Sequence, residues 1–129
     1  MPIELYQEIL ERSDFKCQIR LTQLNNCLYN NLRIYDLFNI DECYSKLLSD
    51  NILKNYKYIK KLDAHSNLNI TDEGISHMNL HTLSALNNSK ITDDGIKHMN
   101  LHILYASSNS KITDDGIKHM TNLELKIII

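Results

Sequence analysis

Proline occurs once and glycine three times in 129 residues, while 43% of the side chains are apolar and the net charge is only -2. So little Pro and Gly excludes collagen-like and flexible low-complexity architectures, and that apolar content at low charge excludes a chain too polar to fold. No apolar run approaches the roughly 20 residues that cross a bilayer, and the opening MPIELYQEIL carries acids where a secretory leader needs bases. Both absences predict a soluble, cytoplasmic chain with no membrane partner. Nor is there a basic face for nucleic acid, because residues 1–58 and 59–129 each hold seven basic and eight acidic side chains. The cysteines, Cys17, Cys27 and Cys43, are odd in number and lack CxxC spacing. In a reducing compartment they read as buried thiols rather than a disulfide or metal set.

What the chain has instead is a period. Gly74, Gly95 and Gly116 stand 21 residues apart, within ITDEGISHMNLHTLSALNN from Ile70, ITDDGIKHMNLHILYASSN from Ile91 and ITDDGIKHM from Ile112. Leu62, Leu83, Leu104 and Leu125 share one phase, as do Ala64, Ala85 and Ala106, and Asn67, Asn88 and Asn109. A stretch from Leu48, LSDNILKNYKYIKKLDAHSN, is a degenerate copy with one extra residue. Upstream the period is missing, and Ile3, Leu5, Ile9 and Leu10, then Ile19, Leu21, Leu24, Leu28 and Leu32, follow helical spacing. The change places a boundary near residue 45, between a helical segment over 1–45 and about three and a half repeats over 46–129.

Each repeat combines two periodicities. The LxLxA ending alternates like a short strand. ITDDGIKHM opens with Thr and Asp, keeps acid in its first turn and brings Lys97 and His98 near its end, an order that favours one or two turns of helix. One such unit cannot bury its own apolar side, so copies must stack. The expected fold is α/β, a short solenoid of parallel strands and short helices after a small all-helical segment. A glycine inside the helical turn costs about 1 kcal/mol against alanine. Its recurrence predicts that a side chain there would strike the neighbouring repeat, and that Gly95→Val would be worse than Gly116→Val.

The pattern LxxLxAxxNxxITDxGIxHM resembles the leucine-rich repeat over roughly residues 48–125. The resemblance implies a curved stack with its strands on a concave face. It also implies that Asn67, Asn88 and Asn109 form a ladder, each side chain bonding the backbone of the neighbouring turn; otherwise they are surface-loop asparagines. The side chains between core positions then project from the concave face toward a target protein. They are Lys61, Asp63 and His65, then Thr82, Ser84 and Leu86, then Ile103, Tyr105 and Ser107. Tyr105 is the best anchor, since a rigid aromatic supplies contact area at low entropic cost.

The first 32 residues, MPIELYQEILERSDFKCQIRLTQLNNCLYNNL, resemble the F-box, a helical motif that docks on the Skp-type adaptor of cullin–RING ubiquitin ligases. Pro2 stands at a first helical position, where its missing N–H costs nothing. The resemblance gives adaptor binding to Pro2, Leu5, Ile9, Leu10, Ile19 and Leu21. Together the two motifs imply a substrate receptor that holds a target near activated ubiquitin and needs neither a cofactor nor covalent chemistry of its own. The runner-up is a leucine-rich-repeat binding or structural module whose N-terminal helices only cap the solenoid. Asn, Ile and Lys make up a third of the chain, the composition of an AT-rich coding genome. With its TDDGIKHM repeats the chain is similar to repeat proteins of large DNA viruses that infect amoebae, which implies a viral protein in the host cytoplasm.

Two recurring sets invite an enzyme reading. His77 with His81, and His98 with His102, form HMNLH segments whose spacing suits zinc on a helix, and the pairs Asp72/Glu73, Asp93/Asp94 and Asp114/Asp115 suggest cation ligands. Both recur because the repeat recurs, and duplication of a structural unit produces such ladders, so no metal or catalytic site is expected. The chain ends NLELKIII. An apolar edge there predicts end-to-end self-association.

Overall fold

The computed structural model describes residues 35–38, 40 and 45–127. Among them, five strands alternate with four one-turn helices: β1 (Asp36–Leu37), α1 (Asp50–Leu53), β2 (Lys61–Asp63), α2 (Asp72–Ile75), β3 (Thr82–Ser84), α3 (Asp93–Ile96), β4 (Ile103–Tyr105), α4 (Asp114–Ile117) and β5 (Leu125–Ile127). The strands pair in parallel, in chain order, in one sheet. Each turn therefore lies directly on the one before it, as the 21-residue period requires. The six expected adaptor-binding positions, the three cysteines and most of the expected helical segment lie outside the described residues.

Register places the period in the core. Leu37, Leu62, Leu83 and Leu104 are partners on successive strands, and each is at most 1% exposed. Ala64, Ala85 and Ala106 follow two residues later, also buried, where the small side chain lets the chain turn toward the helices. Leu53, Ile75, Ile96 and Ile117 enter from the helices and Met78, Met99 and Met120 from the turns after them, making one contiguous core. Four-residue helices have no stability of their own in water. These are held by that burial and by their caps: Thr71 and Thr92 accept from the N–H of Glu73 and Asp94, and Thr113 from that of Gly116. The helices stop before the basic residues, so Lys97 is a C-cap and His98 lies just beyond.

Three features depart from the pattern in the sequence. The sheet reaches upstream of the boundary expected near residue 45, since β1 pairs with β2. At the other end Leu125 does not join the leucine column. It pairs with Ile103 and is 41% exposed, while Lys126 pairs with Leu104. Leu123 packs against the core after Met120, much as Leu101 is buried after Met99. That placement needs one more residue in the turn, and a one-residue slip moves every following side chain to the opposite face. The ammonium of Lys126 reaches Asp114, whose counterparts Asp50, Asp72 and Asp93 each bind a threonine of the next turn.

The third departure concerns the glycines. A Cβ on Gly74, Gly95 or Gly116 would collide with the carboxylate of Asp50, Asp72 or Asp93, and Asp50 and Asp72 also bring their Cα atoms within 3.0 and 3.1 Å. The obstruction is always in the preceding turn. The end of the stack therefore does not relieve the last glycine, but Gly116 is half-buried and meets only the side chain of Asp93, whereas Gly95 is buried and also meets the Cα of Asp72, so the expected ranking of Gly95→Val above Gly116→Val keeps a basis in that difference.

Candidate functional site

The face of the sheet opposite the helices is the surface the repeat offers. Its side chains stand in columns because the strands are in register. Lys61, Thr82 and Ile103 form one column, bounded by Asp36 and Leu125; Asp63, Ser84 and Tyr105 form the next, bounded by Ile127. Beyond the strands the pairing continues, with the N–H of Ser66 donating to Leu86 and that of Asn87 to Ser107, so His65, Leu86 and Ser107 occupy equivalent places. All nine side chains expected to project from this face are thus brought together.

They are not equally available. Lys61 and His65 are exposed, Asp63, Leu86, Ile103, Tyr105 and Ser107 half-buried, but Thr82 and Ser84 only 5% and 3% exposed. One cover is aromatic. The rings of Phe38 and Tyr105 lie 6.1 Å apart at 41°. Phe38 follows β1, and three strand spacings of about 4.8 Å separate β1 from β4. Both side chains therefore reach inward across the face, over the column that holds Asp63 and Ser84. Phe38 and Ile127, which the repeat does not mark, and Leu125, which it marks for the leucine column, belong to this surface, and with Ile103 and Tyr105 they make its apolar half. Lys61, Asp63 and His65 make the polar half. The carboxylates of Asp36 and Asp63 accept from the N–H of Phe38 (2.7 Å) and His65 (3.0 Å), fixing the chain as it leaves each strand.

The rest of each turn is a frame for this face. The amide of Asn88, completely buried, donates to the carbonyls of Ala64, Asn67 and Ile70 at 3.0, 2.9 and 3.2 Å, and its oxygen accepts from the N–H of Lys90. Asn109 repeats this on Ala85, Asn88 and Ile91, and Asn67 donates to Ser45 and Leu48. These are ladder asparagines, not loop ones. Ser66, Asn87 and Ser108 precede them with φ of 53°, 51° and 58°, the left-handed region that turns the chain inward. Among the described residues no buried side-chain nitrogen or oxygen lacks a hydrogen-bond partner.

The histidines and acids divide among structural partners. Nε2 of His98 and of His119 lies 2.7 and 3.0 Å from the carbonyls of Met78 and Met99 in the turn before, as donors. His81 and His102 instead stack, with ring centroids 4.2 Å apart, and Nδ1 of His102 faces Glu124 at 3.5 Å. The two histidines of His98–His102 thus take different partners. The first acid of each pair, Asp72 or Asp93, holds the threonine of the next turn; the second, Asp94 or Asp115, lies 3.6 Å from Lys97 or Lys118 on the surface. Among the described residues no group of three His, Cys, Asp or Glu side chains is arranged to hold a metal ion, and no helix is long and apolar enough to cross a membrane.

No protein-family model matches the chain, and no curated protein matches it.

Proposed function

We propose that the chain is a non-enzymatic recognition adaptor built on leucine-rich repeats. The stack presents its sheet face to a target protein, and the F-box-like N-terminal residues engage the Skp-type adaptor of a cullin–RING ubiquitin ligase. The observation that carries the first half is the asparagine ladder. Donors from one turn satisfy the backbone carbonyls of the turn before, and the strands keep one register from Leu37 to Leu104. A frame tied this way holds a row of side chains rigidly, and rigidity spares a binding surface the entropy of ordering itself. Polar Lys61, Asp63 and His65 on one half and Ile103 and Tyr105 on the other supply both orienting and anchoring contacts. The second half rests on the sequence resemblance of residues 1–32.

Transfer of ubiquitin then asks only for proximity, a target held at high effective concentration near the activated thioester. The bare repeat module is favoured by one observation: β1 joins the sheet from upstream of the expected boundary, as a cap on the first repeat would. Capture by an immobilised Skp-type adaptor separates the readings. Wild type is retained and Pro2→Ala combined with Ile9→Asp is not if the chain is a ligase receptor; failure of wild type to bind assigns it to the module class.

A further inference from the structure

Among the described residues β5 has a strand on one side only, and its side chains stand in the open. Leu125 is 41% exposed, and Glu124 and Lys126 keep 77% and 37% of their side-chain surface although they reach His102 and Asp114 within the chain. The backbone divides its polar groups between the two sides. The N–H of Leu125 donates to the carbonyl of His102, and the carbonyl of Ile127 accepts from the N–H of Ala106, so these two residues face β4. Alternation then turns the N–H and carbonyl of Lys126 outward. The carbonyl of Glu124 also faces out, because that of His102, in the equivalent place one turn earlier, accepts from Glu124 and Leu125 of the turn that follows. These groups lie along an edge that displays Leu125 and Ile127, and such an edge recruits another strand.

Charge decides which strand fits. Lysine on an edge commonly deters pairing, and a parallel pair in register, or an antiparallel pair centred on Lys126, sets one Lys126 against another. An antiparallel pair centred on Leu125 does the reverse. It sets Glu124 of each copy opposite Lys126 of the other, twice over by symmetry, and brings the two Leu125 side chains together in the closer, non-hydrogen-bonded kind of pair. In that register the outward N–H of Lys126 also meets the outward carbonyl of Glu124 in the other copy, again twice. Backbone, charge and apolar contact agree on one arrangement, and it is two-fold.

We infer that two copies of the chain associate tail to tail by pairing their β5 strands antiparallel about Leu125. The occupant of the edge is a second copy rather than a foreign strand, because Glu124, Leu125 and Lys126 are complementary to themselves. Association at this end therefore closes as a dimer, since a two-fold contact uses the same edge of both copies. It joins the two sheet faces on one side of a continuous sheet, with Ile103, Tyr105, Leu125 and Ile127 of each copy in a single apolar strip. This goes beyond the adaptor reading and offers a target two faces at once. The contact is short, so the dimer exchanges with monomer rather than being obligate.

Sedimentation equilibrium of the full chain at rising concentration is the first measurement, with a monomer–dimer equilibrium expected. Glu124→Lys and Lys126→Glu each create like-charged pairs and each weaken dimerisation at least about fivefold. Mixed together, the two variants restore both opposite pairs, so the mixture dimerises more tightly than either alone. Leu125→Cys leaves both charges in place. On mild oxidation it yields a disulfide joining position 125 of the two copies, identified by peptide mass, because the closer kind of pair lies within disulfide reach; Ser76→Cys on the helix side yields none. Wild type that stays monomeric into the millimolar range overturns the inference, as does a dimer whose oxidised Leu125→Cys form lacks that disulfide. Species that keep growing with concentration overturn the two-fold in favour of open stacking. None of these outcomes depends on a target or on a Skp-type adaptor.

Discussion

The hydroxyl of Thr92 donates to Oδ2 of Asp72 across 2.6 Å while its N–H donates to Oδ1 across 2.7 Å, so one carboxylate takes both donors of the residue that caps the next helix. The same carboxylate lies where a Cβ on Gly95 would stand. Thr–Asp–Asp–Gly is therefore one device, in which glycine makes room for the clasp that aspartate forms with threonine.

The clasp predicts a non-additive pair. Asp72→Ala removes two charge-assisted bonds at a half-buried position and should cost about 2 kcal/mol. Gly95→Ala in the wild type should cost about 1–3 kcal/mol by overpacking, and Gly116→Ala less, because only the side chain of Asp93 stands in its way. In the Asp72→Ala background most of the Gly95→Ala penalty should vanish, because the obstructing carboxylate is gone and alanine suits a helix better. Urea unfolding of the four-member cycle measures the coupling. Additive penalties would disprove the clasp.

Asn88 should tolerate neither shortening nor charge. Asn88→Ala leaves the carbonyls of Ala64, Asn67 and Ile70 without their donor. The expected loss is about 1–3 kcal/mol. Asn88→Asp keeps the shape but turns an acceptor toward three acceptors, so it should unfold at lower denaturant than Asn88→Ala. Chemical denaturation followed by circular dichroism gives the order.

A stabilising change is available at the left-handed turn. Ser108 holds φ of 58°, a conformation that costs an ordinary L-residue roughly 1–2 kcal/mol and that asparagine tolerates better. Asn87 fills the equivalent place one turn earlier. Ser108→Asn should raise stability by about 0.5–1 kcal/mol and Asn87→Ser lower it by a similar amount. Differential scanning calorimetry on both variants reads the opposite shifts.

The repeat made much of this legible before any coordinates. Leu62, Leu83 and Leu104, the three alanines and the three asparagines each occupy one structural place because stacked turns must present identical surfaces to one another. Legibility stopped where that constraint stops. Leu37 pairs with Leu62 at a spacing unlike 21, so β1 carried no mark. At β5 two fits competed, Leu125 beneath Leu104 or Leu123 in the pocket after Met120, and spacing alone favours the first while packing took the second. The columns on the sheet face followed from alternation, but the burial of Thr82 and Ser84 did not. It depends in part on how far Phe38 and Tyr105 lean across strands, which no local pattern encodes. The direction in which each glycine faces, toward the earlier turn, was likewise invisible to a symmetric repeat.

That direction is shared by the threonine, asparagine and histidine ties between turns. Thr92 reaches back to Asp72, Asn88 back to Asn67, His98 back to Met78, and Gly95 lies against the turn before it. Each new turn thus requires, for these side chains, only acceptors already in place in the turn that precedes it, and it receives backbone donors from that turn, as Ser84 and Leu86 do from the N–H of Ala64 and Ser66. A polypeptide emerging from the ribosome N-terminus first meets that requirement in the order of its synthesis. The molecule can be assembled like a course of bricks, each row laid on a finished one, without waiting for the end of the chain.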